Sequence, residues 1–238
     1  MLTMSFLMSV AMTAQDQIYI GFEVGATKDI YEFSGNENHI TPAQWHNATW
    51  GLTLRKDLND FISLETGITW KSYYEGYTFH FLTPVISGSS SHISNSYTSW
   101  QIPLRIRSKI HLSKDKVFLT PILGYQWCIA SNNIPSVSTS QTSINDFMVS
   151  SSNTTTFDSE RTFSLLETGL GLEFRILKKA IFTASASYFT GFKKVMNLDI
   201  AYEINDEPIT HANMYSKGEY RSFTFGVRYM ISDLWSKK

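Results

Sequence analysis

Cysteine occurs once in the 238 residues, at Cys128, so neither an intrachain disulfide nor a cysteine-rich zinc site can hold this chain together. Long apolar runs are missing too. No stretch approaches the roughly 18 consecutive apolar residues of a spanning helix, which excludes a polytopic helical membrane protein. Charge is scarce: Asp, Glu, Lys and Arg make up 17% of the residues, against about 25% in ordinary globular chains. Aliphatic residues do not fill the gap, because the hydrophobic share is 42%; Ser, Thr, Asn and Tyr do. A formal net charge of −1 leaves no basic footprint for nucleic acid. None of the six histidines belongs to HExxH or another metal-spaced motif, so no metal site and no cofactor is expected.

The first feature present is an address. Residues 1–14, MLTMSFLMSVAMTA, form a short apolar stretch that ends in small residues before the polar Gln15-Asp16-Gln17. That is the end of a secretory signal peptide, cut after Ala14 or Ala11, with residues 15–238 as a single mature domain. The usual basic residues ahead of the apolar stretch are absent, so the natural start is expected slightly upstream.

The second feature is alternation with period two, the mark of a strand whose two faces differ. It predicts eight strands, near residues 17–27, 47–55, 61–74, 98–112, 117–130, 161–176, 181–192 and 219–231. In the fourth, Trp100, Ile102, Leu104 and Ile106 alternate with Gln101, Arg105, Arg107 and Lys109. The connections after the second, fourth and sixth strands are short and charged, whereas those at 28–46, 75–97, 131–160 and 193–218 are long. A soluble meander has no reason to alternate in this way. A transmembrane barrel with short periplasmic turns and long extracellular loops does.

In a bilayer no water satisfies exposed backbone groups, so strands can cross only as a closed sheet. The expected fold is therefore all-β: an eight-stranded antiparallel up-and-down transmembrane barrel. Arg or Lys on the lipid side at the midplane costs roughly 2–4 kcal/mol. Hence Arg55, Lys71, Arg105, Arg107, Lys109, Arg175 and Arg228 are expected inside, paired with Glu23, Glu65, Glu167 and Glu173. Eight strands leave an interior that side chains can fill, which argues against a wide pore. Trp50, Trp70, Tyr74, Trp100, Trp127 and Tyr188 fall near the long-loop ends of their strands, with Trp235 at the other side, as interfacial girdles do. Pro103 and Pro121 interrupt strands and are expected at bulges or near a rim.

Four segments carry a family likeness: WQIPLRIRSKI at 100–110, TPILGYQW at 120–127, ETGLGLEF at 167–174 and RSFTFGVRYMI at 221–231. Together they resemble the outer-membrane β-barrel family common in Bacteroidetes, which includes PorT-like proteins and small OmpA-like barrels. The resemblance implies an outer-membrane location and, for the PorT-like branch, association with a secretion and gliding apparatus. It also implies a terminal aromatic assembly signal, which here would move inward to Tyr229 because SDLWSKK follows Ile231.

Chemistry is harder to find. Scattered loop histidines are the default, although His46, His80 or His211 near the outer rim could serve a barrel enzyme acting on lipid A or peptide. Cys128 reads as an inward space-filler. Past Glu75, the second long loop carries no charge and holds Phe79, Phe81, Leu82, Val85 and Ile86, either an exposed partner contact or an extension of the hairpin above the membrane. The third long loop, rich in Ser, Thr and Asn, is expected to be mobile. The resulting expectation is a non-enzymatic, monomeric barrel in outer-membrane lipid with a structural, partner-docking or secretion-assembly role. The rivals are a rim enzyme and a soluble lipocalin-like binder with a hollow apolar interior.

Overall fold

The computed structural model describes residues 17–35, 39–43, 46–82, 87–113, 116–131, 136–144, 147–157, 161–177 and 179–232. The segment read as a signal peptide and Trp235 lie outside the described residues. Fifteen strands are described. They are β1 (Ile18–Asp29), β2 (Glu32–Ser34), β3 (Ile40–Pro42), β4 (His46–Asp57), β5 (Ile62–Leu82), β6 (Ser87–Ser108), β7 (Ile110–Ser113) and β8 (Val117–Ala130), followed by β9 (Ser136–Ile144), β10 (Phe147–Phe157), β11 (Thr162–Leu177), β12 (Ala180–Gly191), β13 (Met196–Ile204), β14 (Thr210–Ser216) and β15 (Tyr220–Met230).

Eight of them close a ring. Hydrogen-bonded neighbours run β1, β4, β5, β6, β8, β11, β12 and β15, and β15 returns to β1 through eleven paired residues from Tyr19↔Met230 to Asp29↔Tyr220. Every pairing is antiparallel, and β7 continues β6 along β8. A closed ring leaves no edge along the barrel wall, which is the condition for crossing hydrocarbon with strands. The eight segments read from periodicity are these eight strands.

Alternation decides the faces. Outward positions are apolar and exposed, among them Ile20, Phe22 and Val24 on β1, Leu52 and Leu54 on β4, and Phe223, Phe225 and Val227 on β15. So continuous an apolar exterior is incompatible with water and is satisfied by lipid. Trp50 stacks on Trp70 at 6.1 Å and meets Trp100 edge-on at 6.2 Å, forming part of one girdle across β4, β5 and β6. Inward positions are filled, and mostly polar at mid-barrel, the reverse of the hollow apolar interior that a soluble lipocalin-like binder needs.

Tight turns close the short-connection end. Between β4 and β5, Asn59 Oδ1 accepts the amides of Phe61 and Ile62 at 2.8 and 2.7 Å, an Asx-type arrangement that satisfies the turn backbone locally. At Gly67 two strands approach closely, since a Cβ there would lie 2.1 Å from the Leu52 carbonyl oxygen.

Neither proline lies at a bulge, and of the two only Pro121 is toward a rim, at the short-turn end of β8. Pro103 faces the interior in mid-strand and pairs with Gln126; the β5–β6 register is the same at Thr66↔Leu104 and Thr69↔Gln101, on either side of it. Pro121 pairs in register with Leu170, and its amide-less edge faces the break between β6 and β7, where Lys109 N–H turns to the Phe61 carbonyl at 2.7 Å. The bulges fall instead at Glu75/Gly76, His111/Ser113 and Arg175/Leu177.

The long connections are also corrected. They build a second, five-stranded sheet in the order β2, β14, β13, β10, β9. The third connection, expected to be mobile, supplies β9 and β10, with nine paired positions from Phe147↔Ile144 to Thr155↔Ser136. Its Ser and Thr residues are polar on both faces, so no hydrophobic alternation betrays the strands. Apolar partners come from elsewhere: Ile40, Tyr77, Phe79, Val149, Leu198, Ile200, Tyr202, Ala212 and Met214 form one buried cluster. β5 and β6 reach it by extending the barrel hairpin, paired as far as Leu82↔Ser87.

Phe79 sits in that cluster at 1% exposure, edge-on to Tyr77 at 5.3 Å and Tyr202 at 5.5 Å. Truncating a buried Phe to Ala costs about 3–5 kcal/mol. In Phe79→Ala, the second sheet is therefore expected to lose hydrogen-exchange protection and resistance to protease, while the barrel keeps its heat-dependent shift in gel mobility.

Candidate functional site

A residue on one strand can meet residues on any other strand only across the barrel interior. Parity sends Glu23 (β1), Arg55 and Asp57 (β4), Glu65 and Lys71 (β5), Arg105 and Arg107 (β6), Lys109, Glu167 and Glu173 (β11) and Arg228 (β15) there, all 6% exposed or less. They form one connected chain of ion pairs, with Lys71 apart.

At the short-turn end Lys109 Nζ meets Asp57 Oδ2 at 2.5 Å, and Asp57 Oδ1 accepts from Arg55 Nε at 2.9 Å. Arg55 Nη1 reaches Glu173 Oε1 at 2.5 Å, and Arg228 lies 4.0 Å from the same oxygen. Arg228 Nη2 is 2.6 Å from Glu65 Oε2, while Glu65 Oε1 takes Arg107 at 3.0 Å and Arg105 at 3.1 Å. Arg105 then holds Glu23 at 3.1 Å and Glu167 at 2.7 Å. The chain contains five cations (Lys109, Arg55, Arg228, Arg107, Arg105) and five carboxylates (Asp57, Glu173, Glu65, Glu23, Glu167), so it is neutral. Balance matters because each ion removed from water loses several kcal/mol of hydration, which only close opposite charge and hydrogen bonds restore.

Above this chain lies Lys71. Its ammonium bonds Asp29 at 2.5 Å and rests over the rings of Tyr73 at 3.3 Å and Tyr220 at 4.6 Å. Asp29 also accepts from Asn47 Nδ2 at 2.5 Å. Here the polar interior gives way to an aromatic layer: Tyr73 stacks on Tyr97 at 4.6 Å, Phe189 on Tyr220 at 4.1 Å, and Phe163, Leu165 and Cys128 fill around them. Cys128 is fully buried, a space-filler in this layer. The Tyr220 hydroxyl joins the two zones by donating to Gln101 Oε1 at 3.0 Å and Gln126 Oε1 at 3.2 Å. Above the layer packs the second sheet.

Ten of the eleven residues expected to form the interior charge set are ion-paired there. Arg175 is the exception. It is inward by parity but half-buried at the short-turn mouth beside the Arg175/Leu177 bulge, with its guanidinium 5.4 Å from the Phe118 ring centroid. Sequence reasoning missed Asp57 and Asp29, assigned to connections because the strand ends were drawn two residues short. The signal was present, since Asp57 is two residues from Arg55 and Asp29 two from Thr27, and alternate residues share a face.

Of the residues considered as a partner contact, Phe79 is buried in the second sheet's core and offers no surface. The reason is that the hairpin continues upward and is covered by β10, β13 and β14 rather than left bare. Phe81 and Leu82 belong to β5, but their side chains, like Val85 and Ile86 altogether, lie outside the described residues. Among the rim histidines, His80 Nε2 is hydrogen-bonded to Thr41 Oγ1 at 2.7 Å, and His46 and His211 are exposed on β4 and β14. Among the described residues no group of three His, Cys, Asp or Glu side chains is placed to hold a metal ion.

Several solved structures are similar to this chain. The outer membrane protein OprG from Pseudomonas aeruginosa shares 10% identity over 92% of this chain and 98% of its own, with a TM-score of 0.49. The outer membrane protease OmpT from Escherichia coli shares 11% over 92% and 99%, at 0.45, and outer membrane protein W from Escherichia coli 10% over 92% and 100%, at 0.38. No curated protein matches the chain. The family model described as outer membrane protein beta-barrel domain matches residues 2–230, so the chain belongs to that family, and its place is the outer membrane.

Proposed function

We propose that this protein is a non-enzymatic, monomeric barrel without a wide pore, which holds an ordered extracellular sheet in front of an envelope or secretion-system partner. One observation carries the reading: the interior is filled by neutral, paired charge and closed above by stacked aromatics. Such a lumen offers no continuous water path for solute, and the side chains that fill it are committed to one another. What remains available is the extracellular sheet.

The outer face of that sheet is polar and braced. Asn213 Nδ2 donates to Asn197 Oδ1 at 3.0 Å and to Asp199 Oδ1 at 2.5 Å, and Asn197 donates to Asp199 at 2.9 Å. Lys217 and Tyr215 both hold Glu32, tying β14 to β2. A rigid polar face suits docking, since few side chains need to be ordered when a partner arrives. The PorT-like, secretion-assembly role is the finer form of this reading; it is supported by the resemblance of the strand motifs to those of Bacteroidetes barrels and compatible with the sealed interior.

Three outcomes are expected. In planar lipid bilayers the purified protein gives no stepwise conductance above background, and discrete channel openings would overturn the closed-barrel reading. A photo-crosslinker at the exposed Asp199, in intact native envelopes, yields a discrete adduct with another protein; a ladder of many products or none would remove the docking role. Glu65→Ala strands Arg107 and Arg228 in the interior and lowers the unfolding free energy in lipid by about 3–5 kcal/mol, read as a shift in the urea midpoint.

A further inference from the structure

β5 leaves the lipid-facing girdle at Tyr74 and continues above it, so Glu75 is its first inward residue beyond the membrane. The register slips there, at the bulge between Glu75 and Gly76. A bulge re-aims a side chain, and this one points into the seam between the barrel's aromatic layer and the extracellular sheet. Glu75 is 1% exposed, and neither of its carboxyl oxygens has a hydrogen-bond partner. Facing it from β10 is the fully buried Thr155 hydroxyl, whose contact with the carboxyl falls short of well-formed hydrogen-bond geometry but still favours the charged form.

Among the described residues no cation answers it. Lys71, four residues back, is committed to Asp29, and the six other interior carboxyl groups described, those of Glu23, Asp29, Asp57, Glu65, Glu167 and Glu173, each have an ion-pair partner. The titratable groups near enough to feel Glu75 are Tyr31, from the connection after β1, and Tyr97, on β6. Burial pushes both phenols well above their ordinary value, so they stay neutral and offer no positive charge. An isolated carboxylate in such a seam is far costlier than the neutral acid.

We propose that Glu75 is a proton-operated latch between the barrel and its extracellular sheet: as the neutral acid it lets the sheet seat, and as the carboxylate it drives the sheet off. Burial raises its pKa from 4.5 to about 8 in the seated state. Lifting the sheet returns the carboxyl to water and to its ordinary value. Between those two values the seated state holds the extra proton, so seating is strongest below about pH 4.5, weakens about tenfold per pH unit up to about 8, and is level beyond. Lys71 and Asp29 keep each other when the sheet lifts, whereas the Tyr77 hydroxyl gives up Ser151 and Asn153 whichever form Glu75 takes.

The test uses the full chain in lipid bilayers and follows amide exchange in β10 and β13, corrected for the intrinsic dependence of exchange on pH. In the wild type, opening of these strands is expected to rise about tenfold per unit from pH 5 to 8 and then flatten, while β4 and β15 do not respond. Glu75→Gln should give a flat profile, as protected at pH 8 as the wild type is in acid. The Thr155 hydroxyl favours the carboxylate, so Thr155→Val should carry the rise beyond pH 8. A flat wild-type profile, or an undiminished slope in Glu75→Gln, overturns the latch. If Glu75→Gln fails to give a heat-modifiable barrel, Thr155→Val decides alone, and an unmoved window overturns the proposal. Neither result bears on the crosslinking test of docking, so the two readings can fail separately.

Discussion

Arg105 holds three carboxylates from three strands: Glu23 of β1, Glu65 of β5 and Glu167 of β11. Only in a closed ring can one guanidinium reach all three, and only opposite charge at such range makes the closed ring tolerable for arginine. The bilayer imposes the first condition by denying water to an open edge, and it imposes the second by driving cations at the level of the hydrocarbon inward. From that joint point the network extends through Glu65 to Arg107 and Arg228 and through Glu173 to Arg55 and Asp57. Plugging the barrel and stabilising it are thus one arrangement.

Moving up the axis, the means of filling space changes with the surroundings. Ion pairs occupy the level of the hydrocarbon, where the wall is thin and its exterior dry. A layer of stacked tyrosine and phenylalanine rings follows near the girdle, with the Lys71 ammonium over two of those rings. Beyond it an ordinary apolar core forms between the extended β5–β6 hairpin and the second sheet. Glu75 stands at the junction of the last two zones, where neither the ion-pair chain nor water reaches it.

The barrel was legible in the sequence because each strand carries its own evidence. Outward Ile, Leu and Phe alternate with inward Gly, Thr, Arg and Glu, and a one-residue slip would place charge in lipid, so the pattern is strict. The extracellular sheet was not legible, for β9 and β10 read as loop: Ser138, Thr139, Ser150 and Asn153 are polar on both faces, and a strand whose cover comes from other segments shows no alternation of its own. Phe79 could be read as an exposed contact or as part of a hairpin extended above the membrane, and β10, β13 and β14 over it decided for the second. Asp29 and Asp57 were lost to strand ends drawn short, where fraying and turn residues dilute the period.

By itself, then, the sequence determined which face each residue of the eight wall strands takes, because parity is a local property that repeats every two residues. It also pointed to the membrane setting, since short and long connections alternate between strands whose charge keeps to one face. The partners were decided only by tertiary structure. Arg55 meets Glu173 across 118 residues, and no local pattern encodes that distance; closure of the ring does. Folding likewise decided that the long connections form a sheet and that Glu75 is buried beneath it with only the Thr155 hydroxyl facing its carboxyl among the described residues, because both depend on which surfaces are covered, and burial is a property of the assembled chain.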